Sequence, residues 1–270
     1  MDELIEQVKA KKQFAGLRNS VIEKVLKAVF EKANFYNPPS ASIRPPVLNA
    51  EDYENLPIVF QEDVVKKARE ILRKYFGVFL TNKVLKIKDE SVLQSHLSTK
   101  KRDYEKVYGE ILGDEEVVVD LGCGVNGFSA SLIKDKKYVG VEVVKQLVDN
   151  MNFYFDEKKL EAVAYWEDLF ELEKILEIIK KQKGRKAIWL FNVVDALENF
   201  DRDYSKKLIQ GVFGIGSVEK IVVSVPVESI SGKKKFFVKR NWLLDFFEKE
   251  KFIVEKDFLA GYERFFVLRK

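Results

Sequence analysis

An acidic, glycine-rich turn is the part of this sequence whose residue types most clearly indicate chemistry. The apolar run Val117–Val119 leads into Asp120, and a Gly-Cys-Gly turn follows at positions 122–124. Glycines let a backbone approach a ligand closely, and a helix that starts after such a turn presents unpaired N–H groups. With Gly127, the turn also satisfies Gly-x-Gly-x-x-Gly, the dinucleotide fingerprint. We therefore predict a nucleotide-type cofactor site, with a plain tight turn as the alternative.

A second carboxylate follows at a spacing that suits a ribose contact. Glu142 lies about 20 residues after Gly122 and falls within the apolar segment Tyr138–Val143, as in dinucleotide sites. A carboxylate at the end of this strand can accept both hydrogen bonds of a ribose diol. NAD and S-adenosylmethionine both carry such a ribose, so Glu142 does not distinguish hydride transfer from methyl transfer.

Other features favour S-adenosylmethionine over NAD. The negative charge of Asp120 suits a cationic sulfonium and amino group better than a pyrophosphate. Asp168 follows the third apolar segment, where its carboxylate can accept a hydrogen bond from the adenine amine. Segments 251–257 and 264–269 predict an antiparallel hairpin. A reversed last strand of this kind is expected in a methyltransferase sheet and is not expected in a nicotinamide domain.

These positions require a sheet that brings the ends of several strands together. From residue 117 onward, strands and helices alternate, which predicts an α/β doubly wound domain with its ligands at the carboxyl ends of the strands. After the first strand, further strands are predicted at Tyr138–Val143, Ala162–Trp166, Ala187–Phe191 and Ile221–Val225, and helices at Gln146–Phe155, Leu169–Lys181 and Trp242–Glu250. The Val-Asp-Leu-Gly-Cys-Gly sequence at 119–124 followed by this order of elements resembles the class I S-adenosylmethionine-dependent methyltransferases. The resemblance implies an α/β fold with a Rossmann-like sheet and an antiparallel C-terminal hairpin, preceded by an all-helical domain.

Residues 1–94 are predicted to form that helical domain, and residues 95–270 the cofactor domain. Apolar residues at helical spacing indicate two helices before residue 36 and a third from about Asp63. A proline-rich loop at 37–46 separates the second helix from the third. Lysines and arginines on these helices could release counterions from a phosphate backbone, which predicts docking on RNA. An ordinary solvated helical surface explains the same residues.

The composition narrows the class of protein. The net charge of +4 is mild, so binding to a polyanion is expected to come from local patches. Cys123 is the only cysteine and His96 the only histidine, so neither a disulfide nor a metal site is predicted. The sequence begins without the basic and apolar segments of a secretory signal, and no run approaches the roughly 18 apolar residues of a membrane span. We expect a cytoplasmic monomer that does not associate with membranes.

Two separated segments resemble the aminoglycoside-resistance 16S rRNA methyltransferases, which are class I S-adenosylmethionine-dependent enzymes. Residues 95–102, Ser-His-Leu-Ser-Thr-Lys-Lys-Arg, are similar to the family's His/Ser-Ser-Thr-x-Glu-Arg segment upstream of the cofactor turn. Residues 224–233, Ser-Val-Pro-Val-Glu-Ser-Ile-Ser-Gly-Lys, are similar to the family's Phe-Pro-x-x-Ser-Leu-Ser-Gly-Lys segment. The similarity runs from about residue 91 to the C-terminus and includes the Asp-Leu-Gly-Cys-Gly-Val-Asn sequence at 120–126.

The resemblance implies methyl transfer to a base in the decoding region of small-subunit 16S rRNA, with guanine N7 as the acceptor. It also implies that Arg102 pairs with the methionyl carboxylate of the cofactor. The expected cofactor-binding residues are Arg102, Asp120, Gly122, Cys123, Gly124, Glu142, Val143, Asp168, Leu169 and Asn192. The expected RNA-binding residues are Lys233, Lys234, Lys235, Lys239 and Arg240, although a solvated run of charges is the alternative for this group.

The sequence departs from the family at two places. Lys101 stands where the family has an acidic residue before the arginine, so the local ion pairing must differ. Residues 191–195, Phe-Asn-Val-Val-Asp, are not the family's usual sequence, yet the acceptor base is expected beside them. We predict that Asn192 is catalytic, because its side-chain oxygen could accept a hydrogen bond from an exocyclic amine. Cytosine N4 is therefore the alternative acceptor, although an Asn-Pro-Pro-Tyr-like motif is absent.

Three alternative functions stay open at this point. A tRNA methyltransferase would use the same cofactor site on a different RNA. A non-catalytic RNA-binding assembly factor could retain the cofactor fold without transferring a methyl group. A nicotinamide-dependent hydride transfer is the most remote of the three. Within the leading interpretation, a housekeeping role fits as well as drug resistance.

Overall fold

The chain divides into two compact units, which are Met1–Thr81 and Asn82–Lys270. The computed structural model describes residues 1–34, 58–77, 81–96, 98–133, 135–227 and 240–270. The sequence analysis placed the domain boundary after residue 94. Residues 82–94 fall in the second unit because their backbone is bound there: the side-chain amides of Gln146 and Asn150 both donate to the carbonyl of Leu85 at 3.0 Å.

The first unit is helical where the structure describes it. Its helices are α1 (Asp2–Lys9), α2 (Asn19–Asn34) and α3 (Ile58–Phe76), with a short 3-10 turn at Lys12–Phe14. The predicted helices are confirmed, and the third begins earlier than the predicted Asp63. Arg69 of α3 donates to the carbonyls of Gln7 and Val8 at the end of α1, which satisfies acceptors that a helix terminus leaves unpaired. The proline-rich segment 37–46 lies outside the described residues.

The second unit begins with three short helices and continues as alternating strands and helices. The helices are α4 (Asn82–Lys86), α5 (Ser91–Ser95), α6 (Tyr104–Ile111), α7 (Lys145–Lys158), α8 (Leu172–Lys181), α9 (Val194–Phe200), α10 (Tyr204–Phe213) and α11 (Asn241–Lys249). The strands are β1 (Val117–Leu121), β2 (Lys137–Glu142), β3 (Ala162–Trp166), β4 (Lys186–Phe191), β5 (Val218–Pro226), β6 (Ile253–Ala260) and β7 (Glu263–Arg269). Residues Gly124–Ile133, which follow the glycine turn, form a 3-10 segment.

Within the described residues, seven strands form one sheet in the order β3-β2-β1-β4-β5-β7-β6. The first five strands are parallel, and β7 lies antiparallel between β5 and β6. The predicted parallel sheet and its reversed C-terminal hairpin are therefore confirmed. The strand order reverses between β1 and β4, which is the point where doubly wound sheets bind ligands.

The centre of the sheet is buried on both faces, which explains why its strands are continuous apolar runs. Every residue of β1 and β4 is buried, whereas β3 at the edge is partly exposed. Such β-branched strands suit a parallel sheet that helices cover on both sides. No helix in the described part of the chain combines the length and apolar character that crossing a membrane requires.

Two helices that the sequence analysis did not predict lie between β4 and β5. These are α9 and α10, and buried apolar residues mark the inner face of α10. Tyr204, Leu208, Ile209 and Val212 recur at helical spacing, so the signal for α10 was present in the sequence. The helix α9 matters for the site because it starts two residues after Asn192.

Candidate active site

Asp120 occupies the switch point of the sheet. In the strand register it lies between Gly140 of β2 and Trp189 of β4, and it is fully buried. Its Oδ2 accepts hydrogen bonds from Asn126 Nδ2 at 2.7 Å and from the hydroxyl of Tyr138 at 2.9 Å. Its Oδ1 is buried without a partner among the described residues. Burial raises the pKa of Asp120 to about 6, and the two donors limit this rise.

The glycine turn requires glycine at its first position. Gly122 has a φ of +73°, in the left-handed region that favours glycine, and a Cβ there would lie 2.9 Å from Val193 Cγ2. The side chain of Cys123 packs into the interior, where its Sγ lies 3.9 Å from Met151 Sδ. Burial raises the pKa of the Cys123 thiol well above its ordinary value. Cys123 can therefore contribute its backbone to a ligand, and its thiol is not set up as a nucleophile.

Glu142 is tied to the glycine turn by its carboxylate. Its Oε2 accepts from the backbone N–H of Gly124 at 2.9 Å, and its Oε1 accepts from that of Val144 at 3.0 Å. Burial raises the pKa of Glu142, and these backbone donors oppose the rise. Each carboxylate oxygen keeps further acceptor capacity. Both oxygens can therefore receive a ribose diol. The carbonyl of the neighbouring Val143 accepts from Trp166 Nε1 at 2.8 Å.

Asp168 and Leu169 follow β3 and reach the same edge of the sheet. Asp168 is buried, and its Oδ1 accepts from the backbone N–H of Phe170 at 3.0 Å, which fixes the turn. The side chain of Leu169 borders the glycine turn, because its Cδ1 would lie 3.3 Å from a Cβ at Gly122. The structure thus places both residues beside the predicted cofactor turn.

Asn192, the predicted catalytic residue, follows β4 in a conformation unusual for a residue with a side chain. Its φ is +57°, in the left-handed region, and its N–H donates to both the carbonyl and the Oγ of Ser224 at 3.1 Å. The side-chain Oδ1 is buried and has no partner among the described residues. Strained backbone of this kind clusters at functional sites. The next residue, Val193, lies against Gly122, so the two turns are adjacent.

Arg102 lies beside the glycine turn and forms a buried ion pair that the sequence analysis did not predict. Its Nη2 donates to Oε1 and Oε2 of Glu263 at 2.8 and 2.9 Å, and its Nη1 donates to Asn126 Oδ1 at 2.7 Å. Although burial opposes it, the Glu263 carboxylate raises the pKa of Arg102 above its usual value. One edge of the guanidinium is therefore already bound within the protein.

Among the predicted RNA-binding residues, only Arg240 lies within the described part of the chain. Its Nη2 donates to Asp195 Oδ2 at 2.7 Å, and its side chain is only 11% exposed. Arg240 therefore fixes the first turn of α9, close to Asn192. The other predicted residues, Lys233, Lys234, Lys235 and Lys239, lie outside the described residues.

The residues at this edge form a site that suits a cationic nucleotide-like ligand. Asp120 and Glu142 supply two buried carboxylates, and Gly122 lets the backbone pass close to a ligand. Among the described residues, Asp120 Oδ1 and Asn192 Oδ1 are acceptors without donors, and buried polar atoms are usually paired. A ligand that carries N–H groups and a positive charge would satisfy them.

Comparisons with known proteins establish the fold. No family model matches the chain, and no curated protein matches it. The solved structure of the 16S rRNA methylase RmtB is similar with a TM-score of 0.71 and 18% identity, over 100% of this chain and 98% of that one. The 16S rRNA methyltransferase RmtF, solved in complex with S-adenosyl-L-homocysteine, matches with a TM-score of 0.71 and 17% identity, over 100% and 97%.

A third solved structure agrees with these two. An rRNA methylase from Escherichia coli matches with a TM-score of 0.65 and 17% identity, over 100% of this chain and 99% of that one. At such identities the similarity is one of fold. The protein has a class I methyltransferase-like fold with antiparallel C-terminal strands, preceded by a helical region.

Proposed function

We propose that this protein transfers a methyl group from S-adenosylmethionine to a nucleobase nitrogen of small-subunit 16S rRNA. The observation that carries the proposal is the similarity of fold over the whole chain to 16S rRNA methylases. It includes the N-terminal helical region as well as the sheet. The resemblance of residues 95–102 and 224–233 to the aminoglycoside-resistance family supports the same substrate.

The cofactor is assigned from the chemistry of the site. Glu142 would receive the ribose diol, and the backbone at Gly122, Cys123 and Gly124 would pass beneath the cofactor. Asp120, whose Oδ1 has no partner among the described residues, would face the positively charged amino and sulfonium groups. Asp168, Leu169 and Val143 would surround the adenine. RmtF was solved with S-adenosyl-L-homocysteine, the product that such a cofactor leaves.

Arg102 contributes to cofactor binding through one edge of its guanidinium. The Nε and Nη2 edge is bound by Glu263, and one N–H of Nη1 is donated to Asn126, so the second N–H of Nη1 is the group that can meet the methionyl carboxylate. A charge-assisted hydrogen bond of this kind is stronger than a neutral one. Arg102 can therefore still pair with the methionyl carboxylate, as the family resemblance implies, but only through this part of its guanidinium.

The methyl group on the sulfonium is the electrophile, so the protein's own residues mainly position the acceptor and exclude water. Guanine N7 carries an in-plane lone pair and needs no base, and this acceptor rests on the family resemblance. The buried Oδ1 of Asn192, which has no partner in the described part of the chain, favours a second acceptor, cytosine N4. This oxygen can accept a hydrogen bond from an exocyclic amine and so localise the nitrogen lone pair.

RNA binding is assigned to two parts of the chain. The helical unit Met1–Thr81 would dock on the phosphate backbone through exposed cations such as Lys66 and Arg73 of α3. Lys233, Lys234, Lys235 and Lys239 would meet RNA phosphates next to the acceptor site. Arg240 acts differently from these lysines, because Asp195 already binds its guanidinium.

Transfer of radiolabelled methyl groups tests the proposal directly. Purified 30S particles, protein-free 16S rRNA and bulk tRNA would be incubated with the enzyme and labelled S-adenosylmethionine, and the modified nucleotide mapped. We expect label at one nucleotide of 16S rRNA and none in tRNA. Label confined to tRNA would support the tRNA alternative, and label only in ribosomal protein would contradict the proposal.

The matched control is Asp120→Asn, which keeps the shape of the side chain and removes its charge. We expect it to transfer little label while it still binds RNA. Calorimetry with S-adenosyl-L-homocysteine separates the remaining alternative. A wild-type protein that binds RNA but not this ligand would be a non-catalytic RNA-binding factor.

A further inference from the structure

A continuous series of hydrogen bonds crosses the carboxyl edge of the sheet and passes through Glu263. Arg102 donates Nη1 to Asn126 Oδ1 at 2.7 Å and Nη2 to the Glu263 carboxylate at 2.8 and 2.9 Å. Ser224 Oγ donates to Glu263 Oε2 at 2.8 Å, and the backbone N–H of Asn192 donates to Ser224 Oγ at 3.1 Å. The series joins the segment after the glycine turn to the turn after β4.

On the cofactor side, Glu263 determines which edge of Arg102 faces the site. Its carboxylate takes the Nε and Nη2 edge, and Nη1 is left to Asn126. Asn126 in turn donates its Nδ2 to Asp120 Oδ2 at 2.7 Å. Because Arg102 and Glu263 are both buried, removal of the negative charge would leave a buried cation without its counterion. The guanidinium would then be drawn toward Asp120.

On the acceptor side, Glu263 orients the hydroxyl of Ser224. Because the hydroxyl proton is donated to Glu263, an oxygen lone pair of Ser224 is directed at the N–H of Asn192. Asn192 has a positive φ, which residues with side chains adopt only when their surroundings impose it. The hydrogen bonds that the Asn192 N–H donates to the carbonyl and the Oγ of Ser224 are part of what imposes it. A change at Glu263 is thus expected to reach Asn192 Oδ1, which has no partner among the described residues.

We propose that Glu263 is a positioning residue that sets both halves of the site, Arg102 for the cofactor and Asn192 for the acceptor base. This proposal rests on the methyltransferase function proposed above. Glu263 touches neither ligand and acts through Arg102 on one side and through Ser224 on the other. Its place at the start of β7 gives the reversed C-terminal hairpin a role in the chemistry as well as in the fold.

Two variants of the full-length protein distinguish the effect of Glu263 on the cofactor side from its effect on the acceptor side. Glu263→Gln is expected to weaken the binding of S-adenosyl-L-homocysteine in calorimetry by about tenfold, because the amide keeps only one acceptor oxygen and no countercharge to hold the Arg102 guanidinium in place. It is also expected to accelerate hydrogen exchange at the Asn192 amide. Ser224→Ala removes only the acceptor side. It is expected to accelerate Asn192 exchange and lower kcat while it changes the ligand affinity less than about twofold.

The matched control is a second buried ion pair that lies before the amino end of β1. Glu115 pairs with Lys220 at 2.8 Å, and both side chains are buried. Glu115→Gln should therefore affect stability without changing ligand affinity or Asn192 exchange. Equal effects of Glu263→Gln and Glu115→Gln on both readouts would overturn the proposal.

The two proposals fail in different ways. A wild-type protein that does not bind S-adenosyl-L-homocysteine would contradict the methyltransferase function, whereas exchange at Asn192 in the ligand-free protein would still test Glu263. If Glu263→Gln does not fold, Ser224→Ala tests the acceptor side by itself. Unchanged exchange at Asn192 in Ser224→Ala would then overturn the inference.

Discussion

Gly122 and Val193 bring the two functional turns into contact. A Cβ at Gly122 would lie 2.9 Å from Val193 Cγ2, and Gly122 also has a positive φ. The turn after β1 and the turn after β4 therefore pack directly on each other, and there is no room for a side chain at position 122. This contact sets the distance between the proposed cofactor turn and Asn192, which precedes Val193.

Replacement of Gly122 by alanine is expected to destabilise the protein. The left-handed conformation and the overlap with Val193 together should lower the free energy of unfolding by about 2 kcal/mol. Gly109→Ala is the matched control, because it lies in α6 with open space around its Cα. The better helix propensity of alanine should raise stability there by up to about 1 kcal/mol. Chemical denaturation of both variants measures the free energy of unfolding, which should fall in Gly122→Ala and rise in Gly109→Ala.

A third variant distinguishes overlap from backbone strain at this position. Val193→Ala combined with Gly122→Ala removes the overlapping methyl group but leaves the positive φ. We expect it to recover part of the stability lost in Gly122→Ala. A Gly122→Ala protein as stable as the wild type would show that the two turns do not pack as described.

Local sequence signals predicted the sheet and its glycine turn. They did not predict the ion pairs that link distant parts of the site. The strands and the turn are short-range patterns, visible within a few residues. Arg102 and Glu263 are 161 positions apart, so nothing in the sequence around either residue indicates the pairing. The one available signal was an acidic residue at the start of β7, ahead of the apolar run at positions 265–268. The partner of Arg240 could not be predicted either, because α9, which carries Asp195, was not recognised.

Asp120 is expected to make the stability of the ligand-free protein depend on pH. The unfolded chain releases this proton near its ordinary pKa of 3.8, and the folded chain releases it near 6, because burial raises the pKa of Asp120. The folded state therefore loses stability as the pH rises from about 3 to about 7, by about 3 kcal/mol in total. Above about pH 7 the loss is complete.

The measurement compares wild type with Asp120→Asn by urea denaturation at several pH values. The stability of the variant relative to wild type should increase between about pH 3 and about pH 7 and stay constant at higher pH. The difference between the proteins removes the contribution of other carboxylates. A difference that does not change with pH would show that Asp120 has an ordinary pKa.

The same carboxyl group is expected to make cofactor binding stronger as the pH rises. A cationic ligand favours the ionised form of Asp120, which is mostly protonated at pH 5 and mostly ionised at pH 7.5 if its pKa is about 6. S-adenosylmethionine should therefore bind about tenfold more tightly at pH 7.5. Calorimetry on Asp120→Asn should show weaker binding with a much smaller pH dependence. Equal slopes in both proteins would contradict the role of Asp120.

Asn192→Gly separates the two candidate acceptors. Glycine adopts the positive φ without strain, and the variant removes a buried oxygen without a described partner, so stability should fall by less than about 0.5 kcal/mol. If the acceptor is an exocyclic amine, kcat should fall about 100-fold, because a directed hydrogen bond is lost. If the acceptor is guanine N7, the loss should stay below about tenfold. Single-turnover methyl transfer measures it.

The ion pair of Arg240 and Asp195 is expected to serve the acceptor turn more than RNA binding. Their exposed fractions, 11% and 36%, give a coupling energy of about 1 kcal/mol in a double-mutant cycle of stability, after allowance for solvent screening. Arg240→Ala and Asp195→Ala should lower kcat alike and leave the salt dependence of RNA binding unchanged. Neutralising Lys233, Lys234 and Lys235 together should instead flatten that dependence. Weaker RNA binding in Arg240→Ala but not in Asp195→Ala would show that Arg240 contacts RNA directly.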